Sequence, residues 1–313
     1  MDQIYQQLKK YGKVKLNQPL SKHTTFKIGG PARFLVIVEE NDKLVALLNF
    51  LTGEGVDYFI LGGGSNLLMP DQDNDLVIIK ISTKNLEVDQ NVIMVDSGVP
   101  LAMVVATASQ NSLTGMEWGV GIPGTIGGAV RGNAGAMGNS ISDNLIEVDV
   151  WQDSEVLKLK NQDCKFGYRD SLFKHNGSVV LKVKFKLKIG EKQEIMNVMQ
   201  QHIKQRICRV PGEPSPGCFF KNFRLEDWSG DKSSLPESFI KYGKVSAGWL
   251  IEQSGCKGLK KGGAELSDLH NNTIINTNNA TQADVLALVE EIKSKVYNKF
   301  GVELDNEVQV VQS

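Results

Sequence analysis

The sequence carries no surplus of charge of either sign: 35 Lys and Arg stand against 36 Asp and Glu over 313 residues, a formal net charge of −1. A nucleic-acid surface needs a basic excess, so this balance argues against one. There are only four cysteines, Cys164, Cys208, Cys218 and Cys256, and no CxxC pair, which excludes the usual zinc and dithiol patterns. Long apolar runs are missing too. The longest, around Leu44–Leu51 and Leu101–Ala108, fall well below the roughly 18–20 residues that span a bilayer. The first residues, Met-Asp-Gln-Ile-Tyr-Gln, show neither a basic nor an apolar leader pattern. No GxxxxGK[ST] occurs, which sets a P-loop aside. The expectation is a cytoplasmic protein with free thiols and no metal, membrane or nucleic-acid partner.

What the sequence does have is glycine. It has 31, whereas average usage of about 7 % would give roughly 22. Gly29–Gly30, Gly62–Gly64 and the stretch Gly115–Gly138 hold fourteen of them. Gly119–Gly124 reads GVGIPG and matches GxGxxG literally, but the dinucleotide fingerprint needs a strand before it and a helix opening inside it. Here Gly115-Met116-Glu117-Trp118 precedes and Thr125-Ile126-Gly127-Gly128 follows, so a Rossmann site is rejected. Glycine backbone can still approach a pyrophosphate closely, or make tight turns and loop crossings. Three clusters edged by Ser65, Asn66, Asn133 and Ala134 favour a dinucleotide cofactor over turns alone.

Periodicity predicts a strand at Phe34–Val38, then a helix capped by Asn41 with Leu44, Leu47, Leu48 and Leu51 on one face. Tyr58–Leu61 reads as a buried strand running into the glycines. Leu181–Ile189 alternates, with Leu181, Val183, Phe185, Leu187 and Ile189 on one face and Lys182, Lys184, Lys186 and Lys188 on the other. That comb is a solvated face or, less favourably, a phosphate stripe. Thr281 and Asp284 form a capping box for a helix striped by Val285, Leu288, Val289, Ile292 and Val296 and closed by Gly301. Strands and helices mix without a sustained βαβ rhythm. The reading is α+β, or α/β of irregular topology.

Seven segments in order then carry a resemblance: NQPLSKHTTFKIGGPA (Asn17–Ala32), ILGGGSNLL (Ile60–Leu68), GIPGTIGGAVRGNAGAMG (Gly121–Gly138), YRDSLFK (Tyr168–Lys174), GCFFKN (Gly217–Asn222), AGWLIEQSGCKG (Ala247–Gly258) and GVELDNEVQVV (Gly301–Val311). Along nearly its whole length the chain resembles the UDP-N-acetylenolpyruvoylglucosamine reductase family, in its shorter form. The resemblance implies an α+β chain. Residues 1–200 would form a two-subdomain FAD-binding domain of the vanillyl-alcohol-oxidase type, with an inner boundary near 85–90. Residues 201–313 would form a smaller α/β substrate-binding domain whose last strand returns to the active site. It implies FAD as cofactor, NADPH as reductant, a UDP-sugar enolpyruvyl ether as substrate, and a monomer.

The same resemblance assigns candidate residues. For FAD they are Gly62, Gly63, Gly64, Ser65, Asn66, Gly121, Ile122, Pro123, Gly124, Gly127, Gly128, Asn133, Ala134, Gly135 and Arg169. Arg169 and Glu307 match the family's pair at the substrate carboxylate. Cys218 stands where most members have the serine that donates a proton, and a thiol is the stronger acid of the two. Lys221, Asn222 and Gln253 match positions on the sugar-nucleotide side. Phe223 replaces the family's usual proline, which questions the local turn, and His270 reads as a hydrogen-bonded structural histidine. An FAD oxidase of the same fold and a non-catalytic nucleotide-binding relative are the competing readings.

Overall fold

The apolar runs of the first half become two sheets with separate cores in the computed structural model, which describes residues 3–72 and 74–312. The first sheet has four strands in the order Lys13–Pro19, Pro31–Val38, Asn74–Ile81 and Tyr58–Leu61. Tyr58–Leu61 pairs parallel to Val77–Lys80, and of this strand, expected to be buried, only Leu61 is fully so. The expected helix is Asn41–Gly53, and its Leu44, Leu47, Leu48 and Leu51 are fully buried against Phe34, Val36 and Ile79. Its N-cap is Glu40, so the expected cap at Asn41 is corrected. Asn41 is the first helical residue, and its side chain donates instead to Asp96 Oδ1 at 2.8 Å.

The second sheet has five strands, in the order Glu155–Lys160, Leu145–Gln152, Val179–Lys186, Val92–Asp96 and Leu86–Asp89. Its neighbours are antiparallel throughout. One face packs on the helices Leu101–Gln110 and Ile126–Arg131, with Trp118 and Phe185 at the centre. The predicted alternating strand stops at Lys186. Lys188–Ile189 switches partner to Leu113–Thr114, and Ile189, expected inside, is 79 % exposed. The lysine comb lies opposite carboxylates: Lys184 is in register with Glu147 and Lys182 with Asp149, while Lys158 bridges Glu147 at 3.3 Å. It is a solvated, charge-compensated face.

The third core belongs to the C-terminal part of the chain. The Gln282–Phe300 helix has the expected capping box and stripe, and Gly301 ends it in the left-handed conformation at φ 66°. It packs with the short helix Ala247–Gln253 and the three-stranded sheet Lys260–Lys261, Ala264–Leu266 and Ile274–Asn276. Phe223 sits in a two-residue pairing with Val245 and meets Trp228 edge-on at 6.3 Å, so an aromatic contact occupies the proline position.

A single cut near residue 200 does not reproduce the division of the chain. One compact unit runs to Gln18 and then takes Ala32–Gly63 and Asp75–Ile207; the other takes Pro19–Pro31, Gly64–Asn74 and everything from Cys208. Two early glycine motifs therefore fold with the C-terminal core. Phe26, Ile28 and Leu68 are buried in it, and backbone bonds from Thr25 to Gly64 and from Gly30 to Pro70 tie the two segments together. The boundary falls inside Gly62–Asn66.

Candidate active site

In the first unit, two glycine motifs some sixty residues apart are pressed together. A Cβ on Gly62 would lie 2.6 Å from Thr125 Oγ1, and one on Gly63 would lie 2.6 Å from Gly124 Cα. Gly124 itself has φ +120°, and its carbonyl accepts from Leu101 N. Gly127 lies over Ser97, whose carbonyl accepts its N–H at 2.8 Å. Gly62 is pressed against the Thr125 side chain, Gly63 against the Gly124 backbone and Gly127 against Ser97. Gly128 differs: it is exposed, and a Cβ there would meet nothing nearer than Thr125 Oγ1 at 3.8 Å. Ile122 packs on the second core, and Pro123 and Gly121, the latter at φ +73°, are exposed. Gly62, Gly63 and Gly121–Gly128 thus form one seam with little side chain on it. Such a bare, turn-rich cradle suits a dinucleotide.

Asn133, Ala134 and Gly135 continue from the Ile126–Arg131 helix as a braced turn. Asn133 adopts φ 40°; its Nδ2 donates to Gly167 O at 2.9 Å and its Oδ1 accepts from Ser142 N at 3.1 Å. Ala134 O accepts from Ile141 N, and Gly135 pairs with Ser140. Arg169 joins this turn: Nη2 donates to Gly135 O at 2.6 Å, and the guanidinium lies 5.4 Å from the Tyr168 ring centroid. Arg169 is itself at φ 56°, a strained conformation for a side-chain-bearing residue, and Lys174 Nζ holds its carbonyl at 2.6 Å. Next to it Asp170 bonds His175 at 2.9 Å. Although burial pulls the other way, that bond, with others, keeps the Asp170 carboxyl below its ordinary range.

In the second unit, Cys218 is exposed. Free cysteine is among the most buried residue types, so exposure needs a reason. The backbone supplies a mechanism for it. Gly217 at φ +84° turns the chain, and Phe219 and Phe220, 0 % and 1 % exposed, anchor it from the far side. Asn272, a residue not anticipated from the sequence, pins this segment. Its Oδ1 accepts from Phe220 N at 2.9 Å, its Nδ2 donates to Phe220 O at 2.8 Å, and its carbonyl accepts from Phe219 N at 2.7 Å.

Glu307 comes to the same place. Its N–H donates to Phe219 O at 2.8 Å, one residue from Cys218, and its side chain is half-buried. Lys221 N donates to Asp305 O and Phe220 bridges Asn306, so the GCFFKN and LDNEV segments lie side by side. Asn66 is here too: Nδ2 donates to Glu307 O at 3.0 Å. Gly64 packs on His23 O, and Ser65 is half-buried. Asn222 accepts from Ala247 N at 3.1 Å, at the start of the Ala247–Gln253 helix. Gln253 ends that helix with an exposed side chain, its carbonyl bonded by Lys299 Nζ. His270 Nδ1 accepts from Asn272 N at 3.2 Å, and burial pushes its pKa down. Cys218, Lys221, Asn66 and Glu307 therefore share one neighbourhood, and Arg169 is built into the other unit.

Residues 210–311 match the family model described as the C-terminal domain of UDP-N-acetylenolpyruvoylglucosamine reductase, and residues 32–159 match an FAD binding domain. The reductase of Caldanaerobacter subterraneus subsp. tengcongensis is 38 % identical over 305 residues, covering 96 % of this chain and 95 % of its own. The chain belongs to the UDP-N-acetylenolpyruvoylglucosamine reductase family. The Carboxydothermus hydrogenoformans reductase is likewise 38 % identical, over 301 residues, with 94 % and 93 % coverage. The crystal structure of the reductase from Thermus caldophilus superposes with a TM-score of 0.78 at 32 % identity, covering 96 % of this chain and 99 % of that one. The reductase C-terminal match encloses both Cys218 and Glu307, while the FAD-domain match encloses the glycine seam and ends before Arg169. Among the described residues no helix is long and apolar enough to cross a membrane, and no group of three or more His, Cys, Asp and Glu could hold a metal ion.

Proposed function

We propose that this chain reduces the enolpyruvyl group of UDP-N-acetylglucosamine enolpyruvate to UDP-N-acetylmuramate, using NADPH, in peptidoglycan precursor synthesis in the cytoplasm. The observation that carries the reading is that the backbone of Glu307 is bonded to the Phe219 carbonyl, next to the exposed Cys218, with both residues inside the reductase-family segment. The cofactor is FAD, which when bound supplies a hydride carrier between NADPH and C3 of the enolpyruvyl group. The seam at Gly62, Gly63 and Gly121–Gly128 would hold it, with Arg169 and the Asn133–Gly135 turn beyond.

The chain's own residues have three tasks. As C3 gains the hydride, negative charge grows over C2 and the carboxylate. A permanently charged guanidinium at Arg169 would stabilise that charge, and Glu307 would do so as a neutral carboxyl that donates a hydrogen bond to it. Cys218 gives its proton to C2, and water returns one to the thiolate, so one hydride and one proton are added across the double bond. Lys221, Asn222 and Gln253 would orient the sugar nucleotide. Two of these also brace the fold, since Asn222 accepts from the first N–H of a helix and Lys221 pairs through its backbone.

The test is isotopic. Purified protein loaded with FAD is given NADPH deuterated at the transferable position in ordinary water, and then unlabelled NADPH in D2O. The reading expects deuterium at C3 in the first case and at C2 in the second. Protein that takes up no FAD, or that oxidises NADPH with oxygen alone, contradicts it.

A further inference from the structure

Beyond its backbone bond to Phe219 O, the segment that carries Glu307 runs on into a strand of two residues. Gln309–Val310 pairs with Leu67–Leu68 as a parallel ladder of two residues. Parallel pairs are slightly weaker per residue than antiparallel ones, and a pair this short cannot stand alone. Two side-chain amides close its ends. At one end Asn66 Nδ2 donates to Glu307 O at 3.0 Å, while Asn66 O accepts from Gln309 N at 3.1 Å. At the other, Gln282 Nε2 donates to Val311 O at 2.8 Å and reaches Leu68 O at 3.4 Å, so one amide spans both strands. Gln282 is fixed in turn as the first residue of the Gln282–Phe300 helix, its N–H donating to Asp71 Oδ2 at 2.6 Å. Leu68 and Val308 are buried in one core with Val285 and Leu288, and Val311 is also buried.

From this we infer that Gln282 and Asn66 are positioning residues for Glu307. They lock the two-residue ladder, and so fix the carboxyl's place beside the Cys218 segment. The proposal rests on the reading of Glu307 given above. It adds a role for Gln282, which lies between the capping-box residues Thr281 and Asp284 and was given none in the sequence, and a second role for Asn66. Each bond crosses to a backbone carbonyl, so what is needed is a donor of the right length. Methionine matches glutamine in length and lacks the donor.

The experiment uses the full-length FAD-loaded protein and the variants Gln282→Met, Asn66→Asp and Glu307→Gln. Backbone amide exchange is followed by mass spectrometry over the peptide spanning residues 301–312, and flavin reduction by NADPH and reoxidation by substrate are timed separately. Loss of a net hydrogen bond of ordinary strength raises exchange at Gln309 and Val311 by roughly 5- to 10-fold. Gln282→Met is expected to show that rise and to slow reoxidation by about 3- to 10-fold, with NADPH reduction within about twofold of the parent. Asn66→Asp is expected to raise exchange in the same peptide. A general loss of structure would move both half-reactions together and would contradict the positioning role. So would parental exchange, or faster exchange with parental reoxidation. If Glu307→Gln reoxidises at the parental rate, the reading of Glu307 fails and takes the proposal with it. If Glu307→Gln is slow and Gln282→Met is parental, the positioning role alone fails.

Discussion

Gly63 lies directly against Gly124, with no space for a side chain on Gly63: a Cβ built there would lie 2.6 Å from Gly124 Cα. Both belong to motifs read from the sequence as cofactor loops. Their contact shows a second demand on the same residues, since the two loops must meet before anything can lie across them. Gly128, three residues past Thr125, is under no such demand.

This separates two glycine phenotypes. Gly63→Ala forces backbone apart and is expected to lower stability by about 1–3 kcal/mol, read as a lower denaturation midpoint in urea. Gly128→Leu adds a helix-favouring side chain in open space within Ile126–Arg131, so the fold should hold. The added side chain should nevertheless block the seam, and FAD fluorescence quenching on titration should weaken at least tenfold. If Gly128→Leu binds FAD like the parent, the cofactor does not lie along this seam.

Asn272 is the pin beneath the thiol. Asn272→Leu leaves Phe220 N and O without their buried partners, each worth about 1–3 kcal/mol when unsatisfied, so thermal unfolding should shift down markedly. Asn272→Asp keeps an acceptor for Phe220 N–H but offers no donor to Phe220 O. It is expected to fall between the parent and the leucine variant. Equal stability of all three would show that the segment is held by its phenylalanines alone.

The pH dependence follows from His270. Burial lowers its pKa, and its Nδ1 accepts from Asn272 N, so the folded protein holds it neutral. The unfolded chain takes up the proton first as pH falls through about 6.5. Stability from this group is therefore present above that pH and declines below it, until the folded pKa is passed. Unfolding midpoints measured between pH 8 and 5 should show a decline that His270→Gln flattens. An identical pH profile for the variant would remove His270 from the account.

Much of the fold was legible because its signals are local. The 3.6-residue stripe from Val285 to Val296, its Thr281–Asp284 box and the Gly301 terminus all survive unchanged. Ile189 was misread because alternation continues past the point where the partner strand changes, and pairing is not a local property. Cys218 and Glu307 could be found from their motifs. Their adjacency could not, because it depends on backbone bonds between segments far apart in sequence, Glu307 N to Phe219 O and Lys221 N to Asp305 O. Asn272 and Gln282 were given no role in the sequence. They matter through the backbone atoms they hold, and side-chain-to-backbone bonds leave little mark on a single sequence.

The central claim is that Cys218 supplies the proton in the second half of the reaction only. Anaerobic stopped-flow on FAD-loaded Cys218→Ala tests it most directly, first with NADPH and then with the enolpyruvyl substrate. Bleaching of the flavin by NADPH should proceed at the parental rate, while its recovery on adding substrate slows by about 10²–10⁴-fold. Cys218→Ser, which keeps a proton-bearing side chain at this position, should recover much of that loss. Parental reoxidation in Cys218→Ala would contradict the account.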